Sequence, residues 1–245
     1  SSSAASDVYK RQHLHFELRD TPTQRLRNVV REGVIRPEDD LPPRIMRLHY
    51  IEVDTLDRIP VHRRPVSYAV VREAEGRYRL TREEPVGTGR KGYFVAEVTD
   101  RRNGVHNTFG VWRVSLAVDD EPRFEYRMDG FTHDLSRCCD AVSCYPMQLG
   151  SRNEAIRLAR MERSPACFYP VAEERGIVRT APGEVRRVRI EAEDDCGNRS
   201  QLEFDILGRT ETLRAEADST AVVLRPEKVA LVRAGRDLTA RIPAG

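Results

Sequence analysis

Lysine is nearly missing from this chain: it stands only at Lys10, Lys91 and Lys228, so almost all the positive charge is arginine. Genomic codon bias is the plainer reading of that skew, ahead of a phosphate-reading surface. Net charge is equally scarce. The 41 basic and 39 acidic residues leave only +2, whereas a nucleic-acid binder gathers basic charge on one face, so no nucleic-acid partner is expected. Long apolar runs are absent too. None approaches the roughly 20 residues that span a bilayer, so no transmembrane segment is expected. No signal peptide is visible, and the chain opens Ser1-Ser2-Ser3-Ala4-Ala5-Ser6-Asp7 rather than with Met. Residues 1–12 therefore read as lead-in sequence, with any export signal expected upstream of them.

Paired CxxC cysteines are lacking as well. The five cysteines at 138, 139, 144, 167 and 196 exclude a zinc ribbon or a thioredoxin-like site. A metal cluster of Cys138, Cys139, Cys144 and His133 is conceivable, but zinc ligands in a pair normally stand about two to four residues apart. Buried thiols or one disulfide is the favoured expectation. In an oxidising compartment, Cys144 with Cys138 or Cys139 is the nearest pairing in sequence. No HExxH occurs, and none of His49, His62, His106 or His133 has a carboxylate four residues later.

What is present is strand-forming sequence. His13-Leu14-His15-Phe16-Glu17-Leu18-Arg19 alternates polar and apolar, which places Leu14, Phe16 and Leu18 on one face of a strand and His13, His15, Glu17 and Arg19 on the other. Residues 21–36 are irregular. The stretch Arg36-Pro37-Glu38-Asp39-Asp40-Leu41-Pro42-Pro43 disfavours regular structure and predicts a stiff, solvated linker over 37–44, with a domain boundary there. Beyond it, strands are expected at 45–53, 66–71, 78–81, 93–99, 110–118 and 123–128. In the fifth of these, Trp112, Val114, Leu116 and Val118 share one face.

A weak internal echo links 95–100 through Asn103-Gly104 to the strand at Gly110, and 188–194 through Gly197-Asn198 to 201–207. Both read as hairpins with Asp/Gly/Asn turns. Their carboxylates lack EF-hand spacing, so plain turns are expected rather than calcium loops. Between them, Ala155, Leu158 and Ala159 at i, i+3 and i+4 predict a short helix over 153–161, capped at Ser151 or Asn153. After Leu207, apolar runs at 212–217, 221–224, 228–232 and 238–242 read as the start of another β-domain over 208–245. The expected class is all-β: an antiparallel, immunoglobulin-like β-sandwich over 45–207 with a short helical insertion near 131–165.

The chemical signal is His13-Leu14-His15. On a strand, residues i and i+2 point the same way with Cβ atoms about 7 Å apart, so two imidazoles can address one metal-bound water. Zinc catalysis needs three protein ligands and an open position, and the remaining histidines offer no credible set. The stretch His13 to Asp20 resembles the closing catalytic motif of the LytM/lysostaphin-like zinc metallopeptidases, most of which cut peptidoglycan cross-links. The remainder resembles their Bacteroidetes-type members with a long C-terminal extension. The matching stretches are Asp40 to Ile45, Asn103-Gly104 through Gly110-Val111-Trp112, Val118-Asp119 through Phe131, and Asp194 to Ser200 with its following strand. They run in the family's order over most of the chain from His13 to Leu207. Cys138, Cys139 and Cys144 depart from the pattern.

The resemblance implies that residues 13–36 end a peptidase domain, that His15 is a zinc ligand, and that His13 is catalytic, holding the attacking water. It implies that the other ligands, a histidine and an aspartate of an HxxxD motif, lie N-terminal to position 13. It further implies peptidoglycan as partner and the cell envelope or periplasm as location. The alternative reading is a non-catalytic cell-envelope binding or scaffolding module.

Overall fold

The computed structural model describes residues 17–56, 59–151, 153–162 and 164–209, and the backbone of four short strands beyond them. The chain is all-β. A small hairpin, β1 (Leu18–Arg19) and β2 (Leu26–Arg27), precedes the main body. The body contains β3 (Arg44–Leu56), β4 (Ile59–His62), β5 (Val66–Ala74), β6 (Arg77–Leu80), β7 (Val86–Thr88) and β8 (Lys91–Thr99). There follow β9 (Arg113–Val118), β10 (Glu121–Arg127), β11 (Glu154–Arg157), β12 (Val171–Ala172), β13 (Val178–Arg179), β14 (Val185–Glu193) and β15 (Arg199–Gly208). Two isolated hairpins, β16 (Leu213–Ala217) with β17 (Thr220–Leu224) and β18 (Ala230–Ala234) with β19 (Asp237–Arg241), lie in the region expected to begin a further β-domain.

Strands β3 to β15 form one sheet of 13, ordered β11-β8-β3-β5-β6-β15-β14-β9-β10-β12, with β13 on β8, β4 on β3 and β7 on β15. The sheet curls over itself, and β5 is the corner. Its first half pairs with β3 (Ala69 with Arg47, Val66 with Tyr50), and its second half pairs with β6 (Val70 with Leu80, Val71 with Arg79). The layers are thus halves of one sheet, and this strand order does not single out an immunoglobulin-like arrangement. Pairing is antiparallel except where β15 runs parallel to β6 and β7.

The core lies between the two halves. In β9 the alternation foreseen from the sequence holds: Val114, Leu116 and Val118 are buried while Arg113, Ser115 and Ala117 are half-buried. Val188, Ile190 and Ala192 of β14 and Leu202 and Ile206 of β15 join them in one cluster with Leu48, Tyr50, Phe94, Ala96 and Val98 of the opposite half. Phe94 meets Phe204 edge-on across the interior, with ring centroids 5.3 Å apart. Each fully buried Val, Leu, Ile or Phe among them stabilises the fold by about 1.5–3 kcal/mol of apolar burial. The β9–β10 connection is a two-residue turn, Asp119-Asp120, with φ of 52° and 64°. Aspartate tolerates that conformation, which matches the twist of the flanking strands.

Three sequence expectations are corrected. The segment read as a helix over 153–161 contains β11 instead, which pairs with Val95–Val98 of β8. Ala155, Ile156, Leu158 and Ala159 are all fully buried, so no polar face remained to separate a period of two from 3.6. The helical turns fall earlier, at His133–Cys138, Cys139–Val142 and Tyr145–Ser151, with Pro146 in the first turn of the last where a missing N–H costs nothing. Leu135, Cys138 and Val142 pack on the main core, whereas Cys144 joins Tyr93 and Val95 of β8, with Ala155 and Ala159, in a second apolar cluster.

The first hairpin of the echo is also absent. β8 pairs with β3 and β11, while β9 pairs with β10 and β14 in the other half. The connection is a crossover, pinched by the Asp100–Phe109 bridge. The second echo is a true hairpin, β14–β15, in register from Val185–Leu207 to Glu193–Arg199.

The cysteine pairing is the third. Cys138 and Cys144 are free thiols. Cys138 packs on the main core whereas Cys144 belongs to the second cluster, so the two sulfurs serve different apolar surfaces.

Candidate functional site

His13 and His15 lie outside the described residues. Of the stretch expected to be one strand, the described part is β1, where Leu18 is half-buried and Arg19 exposed, as the alternation requires. The segment that follows is fastened to the β-body. Leu26 N–H donates to the Phe131 carbonyl at 2.8 Å, and Arg25 Nη2 donates to the Gly130 carbonyl at 3.2 Å. Arg19 Nη2 lies 2.9 Å from His133 Nε2, so that ring nitrogen accepts. The Arg31 guanidinium stacks 3.8 Å from the centroid of Trp112 and pairs with Glu193 at 3.8 Å. Trp112 is held in turn by its indole N–H to Asp129 Oδ1 at 3.1 Å. A cation–π contact of this kind is worth about 0.5–1 kcal/mol at an exposed site.

The stretch expected to be a solvated linker is not a free spacer. Pro43 is buried and Asp39 half-buried. Asn198 Nδ2 donates to the Asp39 carbonyl at 3.1 Å, Asn103 Nδ2 donates to Asp40 Oδ1 at 2.8 Å, and Ser200 Oγ donates to the Pro43 carbonyl.

This docking assembles an acidic cluster from three distant segments. Asp39, from the linker, Asp100, just after β8, and Asp194, just after β14, each present a carboxylate oxygen within 4.8 Å of the others. Asp100 is 1% and Asp194 0% exposed. Asp194 Oδ1 accepts the backbone N–H groups of Cys196, Gly197 and Asn198 at 2.8, 2.7 and 2.9 Å. Asp39 Oδ2 and Asp100 Oδ1 are buried without any hydrogen-bond partner. Burial, followed by the charge of Asp194, pushes Asp100 up to about 7. Burial also raises Asp194, against the donors that surround it. The nearby cation, Arg102, is spent on Asp195, with Nη2 at 2.7 Å from both carboxylate oxygens. Cys196 borders the cluster, and burial with the charges of Asp195 and Asp194 pushes its thiol up to about 11.

The sequence named these aspartates only as parts of a linker and of two plain turns. They share no spacing pattern, since they meet only through the tertiary fold. The one available signal was that both turns pair an aspartate with an Asn/Gly element.

Two other polar features were weighed. His49 bridges Ser67 Oγ (2.8 Å from Nδ1) and Glu97 Oε1 (2.8 Å from Nε2) across three adjacent strands. Burial pushes Glu97 up, but hydrogen bonds from Asn153, His49 and Ser151 outweigh it and hold the carboxyl below its ordinary value. Ser67 is on an exposed strand face, and this chain serves as a cross-strand tie. A mostly apolar cavity of about 160 Å³, lined by Tyr126, Met128, Phe131, Leu135 and Phe168, also contains Glu154, whose carboxyl is raised by burial.

The described residues do not supply a zinc site. Their two metal-capable groups, Asp39–Asp100–Asp194 and Asp194–Asp195–Cys196, contain no histidine, and His133, Cys138 and Cys144 form no such group among the described residues. No family model, characterised protein or solved structure matches the chain. The peptidase resemblance therefore rests on the residues quoted for it. No helix among the described residues is long and apolar enough to cross a membrane.

Proposed function

We propose that this chain is the C-terminal region of a zinc metalloendopeptidase that hydrolyses peptidoglycan peptide cross-links in the cell envelope or periplasm. Residues 13–36 close its catalytic domain and the β-body is its accessory region. The reading stands on the His13-Leu14-His15 motif and its in-order companion stretches. The structural observation that supports it best is the fastening of residues 19–31 to the β-body through Phe131, Gly130 and Trp112. An accessory region held this way anchors the segment that follows the two histidines in sequence.

In this reading His15 is a metal ligand and His13 orients the attacking water. Bound zinc lowers the pKa of that water and polarises the scissile carbonyl. The other two ligands belong to an HxxxD motif N-terminal to position 13. One observation favours the alternative of a non-catalytic envelope module: no histidine joins a metal-capable group among the described residues.

The test begins with the coding sequence upstream of position 13, and continues with protein that includes it. His15→Ala should abolish bound zinc, whereas His13→Ala should keep most of the zinc and lose turnover of purified peptidoglycan. The chain 1–245 alone should neither hold zinc against a chelator nor cleave, because one imidazole cannot fix the metal's geometry. Zinc-dependent cleavage by 1–245, or no HxxxD upstream, overturns the proposal.

A further inference from the structure

We propose that Asp39, Asp100 and Asp194 bind one hard divalent cation, Ca²⁺ by the chemistry of the donors, and that the ion clamps the 37–44 stretch onto the β-body. This inference does not depend on the peptidase reading.

The first ground is geometry. Calcium holds oxygens at about 2.3–2.6 Å, so two oxygens on one ion are at most about 5 Å apart. One oxygen from each of the three aspartates lies within 4.8 Å of the other two. The three are close enough for side-chain adjustment to bring them into one coordination sphere.

The second ground is independent of the clustering. Asp100, 1% exposed, carries a buried carboxylate oxygen with no hydrogen-bond partner, and Asp39 carries a second such oxygen. Buried polar atoms are almost always satisfied, and a carboxylate oxygen left bare beside two others is the opposite of what a purely structural turn requires. The nearby guanidinium of Arg102 directs its Nη2 to both oxygens of Asp195, and among the described residues no ion pair to a cation is made by Asp39, Asp100 or Asp194. Without an ion the cluster keeps the mutual repulsion of three closely spaced carboxylates. A cation would relieve it fully.

The donor set selects the metal. Three carboxylates are hard ligands, suited to calcium or magnesium rather than to zinc or copper. The bordering Cys196, the soft ligand nearby, is not part of this group of three. Magnesium demands a tight octahedron at about 2.0–2.1 Å and dehydrates reluctantly, whereas a site drawn from three segments, with half-exposed Asp39 at its rim, suits the looser calcium sphere. Water and main-chain carbonyls would complete it.

The role follows from where the three residues come from. Asp100 and Asp194 belong to opposite halves of the curled sheet, and Asp39 to the stretch that leads into β3. An ion here joins all three.

The experiment uses the 1–245 chain, stripped with EDTA and titrated with CaCl₂, MgCl₂ or ZnCl₂ by calorimetry and thermal melting. Trypsin cleavage at Arg31 serves as a local readout. Calcium should bind at one equivalent, raise Tm and slow that cleavage. Asp100→Asn and Asp39→Asn should stay folded by circular dichroism and weaken calcium binding at least about tenfold, since each removes one charged ligand. Three outcomes would overturn the assignment: no saturable calcium binding, calcium binding unchanged in Asp100→Asn, or zinc binding more tightly than calcium at these residues.

Discussion

Gly130→Ala is the sharpest probe of how the N-terminal segment is held. Gly130 has φ +143°, and a Cβ there would run into the Leu26 carbonyl oxygen, with Arg25 Nε 3.4 Å away. The two hydrogen bonds that fasten β2, Leu26 to Phe131 and Arg25 to Gly130, are made at this point. A non-glycine residue in that backbone region costs about 1–3 kcal/mol, and each lost hydrogen bond costs about 0.5–1.5 kcal/mol. Taking a total of roughly 2 kcal/mol, the population with the segment released rises about 30-fold. Trypsin reads this directly, because cleavage of a transiently opened segment follows its open population. Sites at Arg25, Arg27 and Arg31 should be cut about 30-fold faster while the β-body keeps its melting temperature to within a few degrees. Gly104→Ala is the control: its φ is +68° but nothing lies within 4 Å of the added methyl, so it carries backbone strain without a collision. Cleavage at Arg25–Arg31 that is unchanged in Gly130→Ala, or equally fast in Gly104→Ala, refutes the docking.

Asp119 accepts Arg186 Nε at 2.7 Å and the Arg187 N–H at 2.9 Å, and its carboxyl is lowered chiefly by the Arg186 hydrogen bond, against a smaller effect of burial. A depressed folded-state pKa contributes stability above the unfolded value of about 4 and loses it as pH falls through the folded value. The urea midpoint of wild type should therefore exceed that of Asp119→Asn at neutral pH, and the gap should close on acidification below about pH 4; a constant gap counts against the pairing. For the cysteines, native alkylation without reductant should label exposed Cys167 first and buried Cys144 only on unfolding. Recovery of a Cys138–Cys144 disulfide would show that the two sulfurs are not separated as described.

Legibility in the sequence tracked how many faces of an element are wet. β9 has one buried and one half-buried face, so its alternation stood out in Val114, Leu116 and Val118. β11 has neither face fully in water, and its two buried apolar residues, with Leu158 and Ala159 just after it, fitted a helix as well as a strand. The echo was real as a pattern of strand, turn and strand, yet pattern cannot say whether the second strand returns beside the first. Residues 199–208 do so and residues 113–118 do not. Asp100 and Asp194 were visible as turn residues, but their meeting with Asp39 depends on the crossover and on the docking of the 37–44 stretch, neither of which has a local signature. The His13-Leu14-His15 motif was the reverse case, plain in the sequence and outside the described residues.

The points that receive the N-terminal segment all lie at one place on the β-body. Trp112 leads into β9, its N–H bonded to the Glu193 carbonyl at the end of β14 and its own carbonyl accepting Met128 N–H just past β10. Gly130 and Phe131 follow directly on β10, and Asp194 and Asn198 form the β14–β15 turn. Three strand ends are therefore tied to one another before the segment arrives, which makes this a rigid receiving surface rather than a set of mobile loops. A flexibly tethered accessory domain would raise the local concentration of substrate and leave its orientation open. A rigid one limits the angles at which whatever precedes residue 17 can sit. The acidic cluster of Asp39, Asp100 and Asp194 lies beside the same surface, where the 37–44 stretch meets the β14–β15 turn.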